Sequence, residues 1–167
     1  GDSDPPRAQG GFTPLLYAVL AGNLNVVRVL VAAGADIDEA GPDGVTAVLL
    51  ALTKRHEEIA LYLLERGADA RPAEVGYSAL HMASATGQIL AARKLLESGA
   101  DPDARMEMPQ RLTTAFETGV FSSPGSGRLT QKGSTPFIVA AKSADAAMMN
   151  LLVEAGADPY LTTEDQT

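Results

Sequence analysis

Residues 11–36 read GFTPLLYAVLAGNLNVVRVLVAAGAD, and three later stretches of the chain repeat the same plan. A Gly-Ala-Asp tripeptide closes each copy, beginning at Gly34, Gly67, Gly99 and Gly156. A glycine two residues before Thr or Ser opens each copy, at Gly11, Gly44, Gly76 and Gly133. Both markers recur after 33, 32 and 57 residues. Two independent markers that keep the same phase indicate four copies of one structural unit.

Each copy predicts a pair of helices. In the first copy the hydroxyl of Thr13 can cap the helix, and Pro14 stands at the first helical position, where its missing N–H costs nothing. The second helix carries apolar residues at helical spacing, such as Val27 and Leu30, and ends at Gly34. A hairpin this small cannot bury its own apolar face, so we expect each unit to be stabilised by stacking on the next.

The turn between the two helices predicts a left-handed backbone. Gly22 and Gly87 occupy this position in the first and third units, where glycine tolerates a positive φ. Arg55 and Ala144 occupy it in the second and fourth units. If the backbone is left-handed there too, each of these two residues costs roughly 1 kcal/mol.

The pattern Gly-x-Thr-Pro-Leu, followed by an alanine and a return to Gly-Ala-Asp, resembles the ankyrin repeat. The resemblance implies an all-α solenoid of stacked helical hairpins with projecting finger loops and a concave face that binds another macromolecule. It implies no shared catalytic site. The segments predicted from it are an N-terminal flank (1–10), repeats at 11–43, 44–75, 76–132 and 133–161, an inserted finger at 106–131 within the third repeat, and the start of a further repeat at 162–167.

The two ends predict incomplete capping. Repeat arrays usually finish in polar capping units, whereas the first helix here offers Leu16, Tyr17 and Leu20. We therefore expect further repeats or domains of the same polypeptide beyond this chain. The alternative is that exposed terminal faces pair between molecules.

The finger joining the third and fourth units is about 24 residues longer than the others, because Gly99 and Gly133 are 34 residues apart instead of 9 or 10. Between them lie apolar residues that a solvated tether would not need. We predict a short helix over 109–118 and a packed segment. Two interpretations stay open: the insert folds back over the stack, or some of its side chains contact a partner.

Composition excludes several classes of function. The net charge of −8 argues against nucleic-acid binding, which depends on clustered Lys and Arg. No apolar run approaches the ~18 residues of a membrane span, and the chain has no cysteine. No signal peptide is visible, which favours the cytoplasm, although a trimmed precursor would look the same. We expect His56 and His81 to be structural, and we expect no enzyme activity, catalytic residue, metal site or cofactor.

Outside the inserted segment, the fingers are rich in carboxylates and hold 11 of the 21 acidic residues. The repeated Gly-Ala-Asp aspartates are expected to bond to nearby backbone amides. The surplus acids favour a basic partner.

The resemblance implies that the residue after the opening glycine and the pair before the inter-helix turn face the concave side. We predict that Phe12, Val45 and Tyr77 form an exposed apolar strip; the alternative is that finger packing hides them. The predicted partner-binding residues are Phe12, Leu20, Val45, Lys54, Tyr77, Thr86, Arg111, Phe116, Phe121 and Arg128.

The function expected from these features is a non-catalytic protein-interaction module for a protein or peptide that is basic or has an apolar anchor. The alternative is a structural spacer or regulatory segment within a larger enzyme or receptor. A small-molecule site built by the insert is the third and weakest hypothesis.

Overall fold

The computed structural model describes residues 11–41, 44–70, 76–107 and 132–163. Every regular element in these ranges is a helix, and the helices form four consecutive hairpins. The all-α prediction is therefore confirmed for the described part of the chain. The helices are α1 (Pro14–Leu20), α2 (Leu24–Ala32), α3 (Ala47–Thr53), α4 (Glu57–Glu65), α5 (Ala79–Thr86), α6 (Ile89–Glu97), α7 (Pro136–Lys142) and α8 (Ala146–Glu154).

The first helix of every hairpin is capped by the predicted hydroxyl. The Oγ1 of Thr13 accepts a hydrogen bond from the amide of Leu16 at 3.2 Å. Thr46 and Thr135 cap α3 and α7 in the same way, each at 3.3 Å. These bonds satisfy amides that have no partner within the helix, so the start of each inner helix is fixed by local chemistry.

The hairpins stack into two layers. The inner helices α1, α3, α5 and α7 pack side by side, and the outer helices α2, α4, α6 and α8 form the second layer. Leu63, Leu95 and Leu152, at equivalent positions of the last three outer helices, are fully buried. Their counterpart Leu30, in the first hairpin, is only half-buried. Burial at this position therefore depends on a neighbouring repeat, as the stacking hypothesis requires.

The fingers are tied to one another and to their own bases. The Asp38 carboxylate accepts a hydrogen bond from the amide of Asp69 in the next finger at 2.8 Å. Asp103 makes the same bond to the amide of Asp158, also at 2.8 Å. Each of these two carboxylates therefore fixes the spacing between successive fingers.

The third finger has a closed base in spite of its insertion. The amide of Met106 donates to the carbonyl of Ser134 at 2.9 Å, and the amide of Gly133 donates back to the carbonyl of Met106 at 2.8 Å. In the first finger, Gly41 and Val45 are joined at the corresponding place. The added residues thus leave and re-enter the stack at one point. The helix predicted over 109–118 lies outside the described residues.

The inter-helix turns are left-handed in all four hairpins. Gly22 and Gly87 have φ of 69° and 70°, and the two exceptions, Arg55 and Ala144, have φ of 61° and 55°. The left-handed backbone expected at Arg55 and Ala144 is therefore confirmed.

Replacing Ala144 by Gly is expected to stabilise the protein by about 0.5 kcal/mol, because the relief of left-handed strain exceeds the extra entropy that glycine loses on folding. The matched control is Ala155→Gly, at an exposed helix end where φ is −83°. That change should destabilise the protein by a similar amount. Urea unfolding of both variants measures the difference, and shifts of the same sign would contradict the backbone argument.

Two leucines of α6 test the stacking energy. Leu95 is fully buried, whereas Leu90 is 58% exposed. Leu95→Ala should lower the free energy of unfolding by about 2–5 kcal/mol, since it removes apolar contacts and leaves a cavity between repeats. Leu90→Ala, the same change on the same helix, should stay within about 0.5 kcal/mol. Equal effects in chemical denaturation would argue against neighbour burial as the source of stability.

Candidate binding surface

The expected apolar strip at the finger bases does not form. Val45 and Tyr77 are each only 3% exposed and belong to the hydrophobic core, so the prediction that they lie on the surface is wrong. The equivalent residue of the fourth repeat, Ser134, is also buried, so the side chain at this position is covered wherever a preceding repeat is present. Phe12, in the first finger, is half-buried, and its ring packs against Tyr17 with centroids 5.5 Å apart. Of the three residues, Phe12 alone reaches the surface.

Tyr77 carries a buried hydroxyl that has no hydrogen-bond partner within the described part of the chain. Burial raises the pKa of Tyr77 well above its ordinary value, because the apolar surroundings disfavour the phenolate. The side chain is therefore a neutral part of the core. Truncating it would remove core contacts, so Tyr77 is unsuitable as a probe of partner binding.

The ends of the inner helices are only partly accessible. Leu20 is 38% exposed and Lys54 is half-buried. Thr86 is 7% exposed, and its hydroxyl donates to the carbonyl of Met82 at 2.7 Å, so it is wrongly predicted as a contact residue. The Thr86 hydroxyl proton is therefore used in a hydrogen bond at the C-terminus of its own helix. Among the predicted residues on the described inner helices, Leu20 and Lys54 remain accessible.

The other four predicted contact residues belong to the inserted segment. They lie outside the described residues, and their participation in binding stays a prediction. These residues are Arg111, Phe116, Phe121 and Arg128.

The Gly-Ala-Asp aspartates bond to amides of their own fingers, as predicted. The Asp36 carboxylate accepts from the amide of Asp38 at 3.0 Å, and Asp101 accepts from Asp103 at 2.9 Å. Asp158 accepts from the amide of Tyr160 at 2.9 Å. The side chains of all three stay exposed. Each of these three fingers thus presents, near its start, a carboxylate whose position is fixed by the backbone.

Two acids that sequence reasoning counted as surplus have a structural role. Asp38 and Asp103 bond to amides 31 and 55 residues away, in the next finger. Their spacing of two residues after the Gly-Ala-Asp aspartate was the available signal. Their first role is therefore to hold neighbouring fingers together.

His81 links two repeats. Its Nδ1 accepts from the amide of Ser78 at 3.1 Å, so Nε2 carries the proton and donates to the carbonyl of Ser134 at 2.9 Å. Burial lowers the pKa of His81 to about 4, against the opposing effects of the Ser134 hydrogen bond and the charge of Asp101. Protonating Nδ1 would break the bond to Ser78.

His56 also has a structural position. Its ring lies so close to Gly22 that a Cβ added to the glycine would stand 2.7 Å from Cε1. The two histidines therefore secure contacts between repeats, in agreement with the prediction that both are structural.

An arginine cluster on the outer helices was not predicted. The guanidinium groups of Arg28 and Arg66 lie 5.6 Å and 5.7 Å from the centre of the Tyr62 ring. Arg66 follows Tyr62 by four residues, which is the sequence signal for one of the contacts. Arg28 comes from the preceding repeat, which the sequence pattern alone did not indicate. The aromatic ring thus joins two repeats through cation–π contacts.

Within the described residues there is neither a cluster of metal-binding side chains nor a helix that could span a membrane. No three His, Asp or Glu side chains within them are placed to hold a metal ion together. None of the helices in the described part of the chain combines the length and the apolar character needed to cross a bilayer.

Comparison with known proteins relates the sequence to repeat proteins throughout. A family described as ankyrin repeats (3 copies) matches residues 37–106, and the single ankyrin repeat matches 10–41 and 132–164. An ankyrin repeat-containing protein of Treponema pallidum (strain Nichols) is 30% identical over 87% of this chain and 42% of its own length.

Two further relatives cover smaller parts. Ankyrin repeat and KH domain-containing protein mask-1 of Caenorhabditis elegans is 38% identical over 58% of this chain and 4% of its own length. Protein phosphatase 1 regulatory subunit 27 of Mus musculus is 42% identical over 35% of this chain and 38% of its own length. This chain therefore spans less than half the length of each of these three relatives.

The pKa of His81 predicts a pH-dependent stability. Between pH 6.5 and about 4 the unfolded state binds a proton that the folded state excludes, so the free energy of unfolding falls as the pH falls through this range. The loss is about 3 kcal/mol, at ~1.4 kcal/mol per pKa unit. His81→Gln should remove this part of the pH slope, and at pH 7 it should cost about 1–3 kcal/mol through lost hydrogen bonds.

Urea unfolding at several pH values measures both effects. His56→Gln is the matched replacement and should keep the slope that His81 supplies. A His81→Gln variant with the parent's pH dependence would refute the assignment.

Proposed function

Because the chain belongs to the ankyrin-repeat family, we propose that it is a non-catalytic module that binds a basic protein or peptide along its fingers and concave side. Ankyrin repeats are generally protein–protein interaction modules, and the family is generally non-catalytic. One relative is named a regulatory subunit of a protein phosphatase, which fits a module that acts by binding.

The observation that carries the proposal is the row of exposed carboxylates at the start of the fingers. Asp36, Asp101 and Asp158 project from three fingers, and each is held by a backbone amide of its own finger. Such a bond uses an oxygen lone pair but leaves the negative charge in place. The charges are spread along the stack, so an extended basic segment could meet several of them at once.

The rigidity of the stack favours binding. A partner that meets preorganised carboxylates causes little loss of side-chain entropy on association. The net charge of −8 adds a long-range attraction that raises the association rate of a basic partner and weakens with salt. The proposal therefore requires an affinity that falls as ionic strength rises.

The accessible inner-helix residues supply the other part of the surface. Leu20 offers an exposed apolar side chain at the end of α1. Phe12 lies half-buried beside Tyr17 at the base of the same repeat. An apolar anchor on the partner would bind at this end of the concave side.

The charge hypothesis is tested by neutralising three finger acids in one variant, Asp36→Asn, Asp101→Asn and Asp158→Asn. The amide oxygen still accepts the backbone hydrogen bond, so the finger geometry is kept while three charges are lost. At roughly 0.5 kcal/mol for each exposed charge pair, the dissociation constant should rise about tenfold. Proteins captured by the chain are first identified by cross-linking, and titration calorimetry with the purified partner then measures the affinity.

The control removes a charge far from the fingers, by Glu58→Gln at an exposed position in the first turn of α4. It should leave the affinity within a factor of two or so, because this carboxylate lies at the opposite end of its helix from the finger that follows. A loss of affinity per charge as large as that in the triple finger variant would show a general charge effect and overturn the finger site. The absence of any saturable ligand would favour the spacer hypothesis.

A further inference from the structure

The outer layer holds a concentration of positive charge, although the chain as a whole is acidic. We call it the arginine cluster and define it by three residues: Arg28, Tyr62 and Arg66. The two guanidinium groups stand against one ring, at 5.6 Å and 5.7 Å from its centre. Both arginines are exposed and the tyrosine is half-buried. Two cations are therefore held together at the surface of a chain whose net charge is −8.

Neither guanidinium group is neutralised within the described part of the chain, where neither forms an ion pair or a hydrogen bond. One turn before Arg66, where a glutamate would pair with it along α4, the sequence has Tyr62. The positions that could pair with Arg28 along α2 hold uncharged residues: Leu24, Asn25, Val31 and Ala32. An aromatic ring thus stands where an acid would otherwise satisfy these cations.

Two carboxylates lie near the arginine cluster without bonding to it. Glu58 precedes Tyr62 by one turn of α4, and Glu65 directly precedes Arg66. Both are exposed, and neither forms an ion pair with the cluster within the described residues. They weaken the attraction for a distant anion but leave the guanidinium N–H groups unoccupied. The site therefore favours an anion that contacts these N–H groups directly.

The donors of the arginine cluster are numerous and partly preorganised. Each guanidinium group presents a planar fork of N–H donors. The hydroxyl of Tyr62 adds another donor, which has no hydrogen bond in the described part of the chain. The contacts with the ring restrict both arginine side chains before a ligand arrives, so less side-chain entropy is lost on binding.

We propose that the arginine cluster binds the phosphate group of a phosphorylated side chain on a protein partner. A carboxylate has one charge and two oxygens, which a single guanidinium fork satisfies. A phosphate monoester carries nearly two charges and three acceptor oxygens, which match two guanidinium groups and a hydroxyl. The net charge of −8 would repel an extended polyanion such as nucleic acid, whereas a single phosphate group needs to meet only the cluster.

The repeat plan supplies a comparison residue on the same layer. Arg93 occupies the place in the third repeat that Arg28 occupies in the first, and it is also exposed. Glu97 follows it at pairing distance along α6, and Lys94 stands at the position equivalent to Tyr62. Arg93 makes no ring contact within the described residues. It has the charge of Arg28 without the surroundings that form the proposed site.

The test selects phosphopeptides on the immobilised full chain, from a pool of seven-residue peptides with a central phosphoserine, phosphothreonine or phosphotyrosine and randomised neighbours. A selected peptide is then titrated into the isotope-labelled chain, and the side-chain N–H signals of Arg28 and Arg66 are followed by NMR. Both signals should shift saturably. Inorganic phosphate should bind more weakly, as should the same peptide with aspartate in place of the phosphorylated residue.

Removing one guanidinium group, by Arg28→Gln or Arg66→Gln, should raise the dissociation constant about fivefold, the effect of one exposed charge pair. Arg66→Lys keeps the charge but loses the planar fork, so it should also weaken binding. Arg93→Gln is the matched control and should stay within a factor of two or so. Because a phosphate monoester takes up a proton near pH 6, the affinity should fall as the pH drops below about 6.

Urea unfolding of each variant checks that the exposed replacements leave the fold intact. No saturable shift at either arginine would overturn the proposal, and so would an equal loss of affinity in Arg93→Gln. Equally tight binding of inorganic phosphate would assign the site to the free ion, and equally tight binding of the aspartate peptide would assign it to carboxylates. Either result would overturn the assignment to a phosphorylated partner.

The arginine cluster and the finger site can fail separately. The arginine variants keep all of the finger carboxylates, and the triple finger variant keeps Arg28 and Arg66. Loss of binding to a basic partner in the finger variant alone would therefore leave the phosphate site untouched.

Discussion

Burial of each hairpin by the next is the interaction on which the rest of the structure depends. A hairpin of two helices of seven to nine residues is too short to be stable by itself, since isolated helices of that length are marginal in water. Leu63, Leu95 and Leu152 are removed from water only because two hairpins meet there. Hydrogen bonds between repeats, such as that from His81 to Ser134, then fix the register that apolar contact alone would leave loose.

The features predicted correctly from the sequence were those decided within a few residues. The cap at Thr46 and the left-handed turn at Arg55 follow from the chemistry of the adjoining peptide units. The burial of Val45 and Tyr77 was mispredicted because it depends on successive fingers packed against each other. Asp38 was misjudged for the same reason, since its partner amide belongs to a residue 31 positions away. The candidate surface was therefore less predictable than the fold that supports it.

Neighbouring aspartates of one finger have different roles, one within its own turn and one between fingers. Asp36 and Asp38 illustrate this difference within one finger: the first bonds its own turn, and the second holds the neighbouring finger. Loss of the second bond changes the spacing of the surface, whereas neutralising the first changes only its charge. Both contributions to recognition, geometry and electrostatics, are thus encoded by aspartates two residues apart.

The paired hydrogen bonds between Met106 and Gly133 have a consequence for how this protein can diversify. They join the two ends of the third finger at its base, between α5 and α7, and so set the distance between the points where the longer segment begins and ends. A change in the length of that segment can therefore be accommodated without moving these two anchor points, since closing a longer loop adds little to the entropic cost. Insertions and deletions are thus compatible with an unchanged base at this finger.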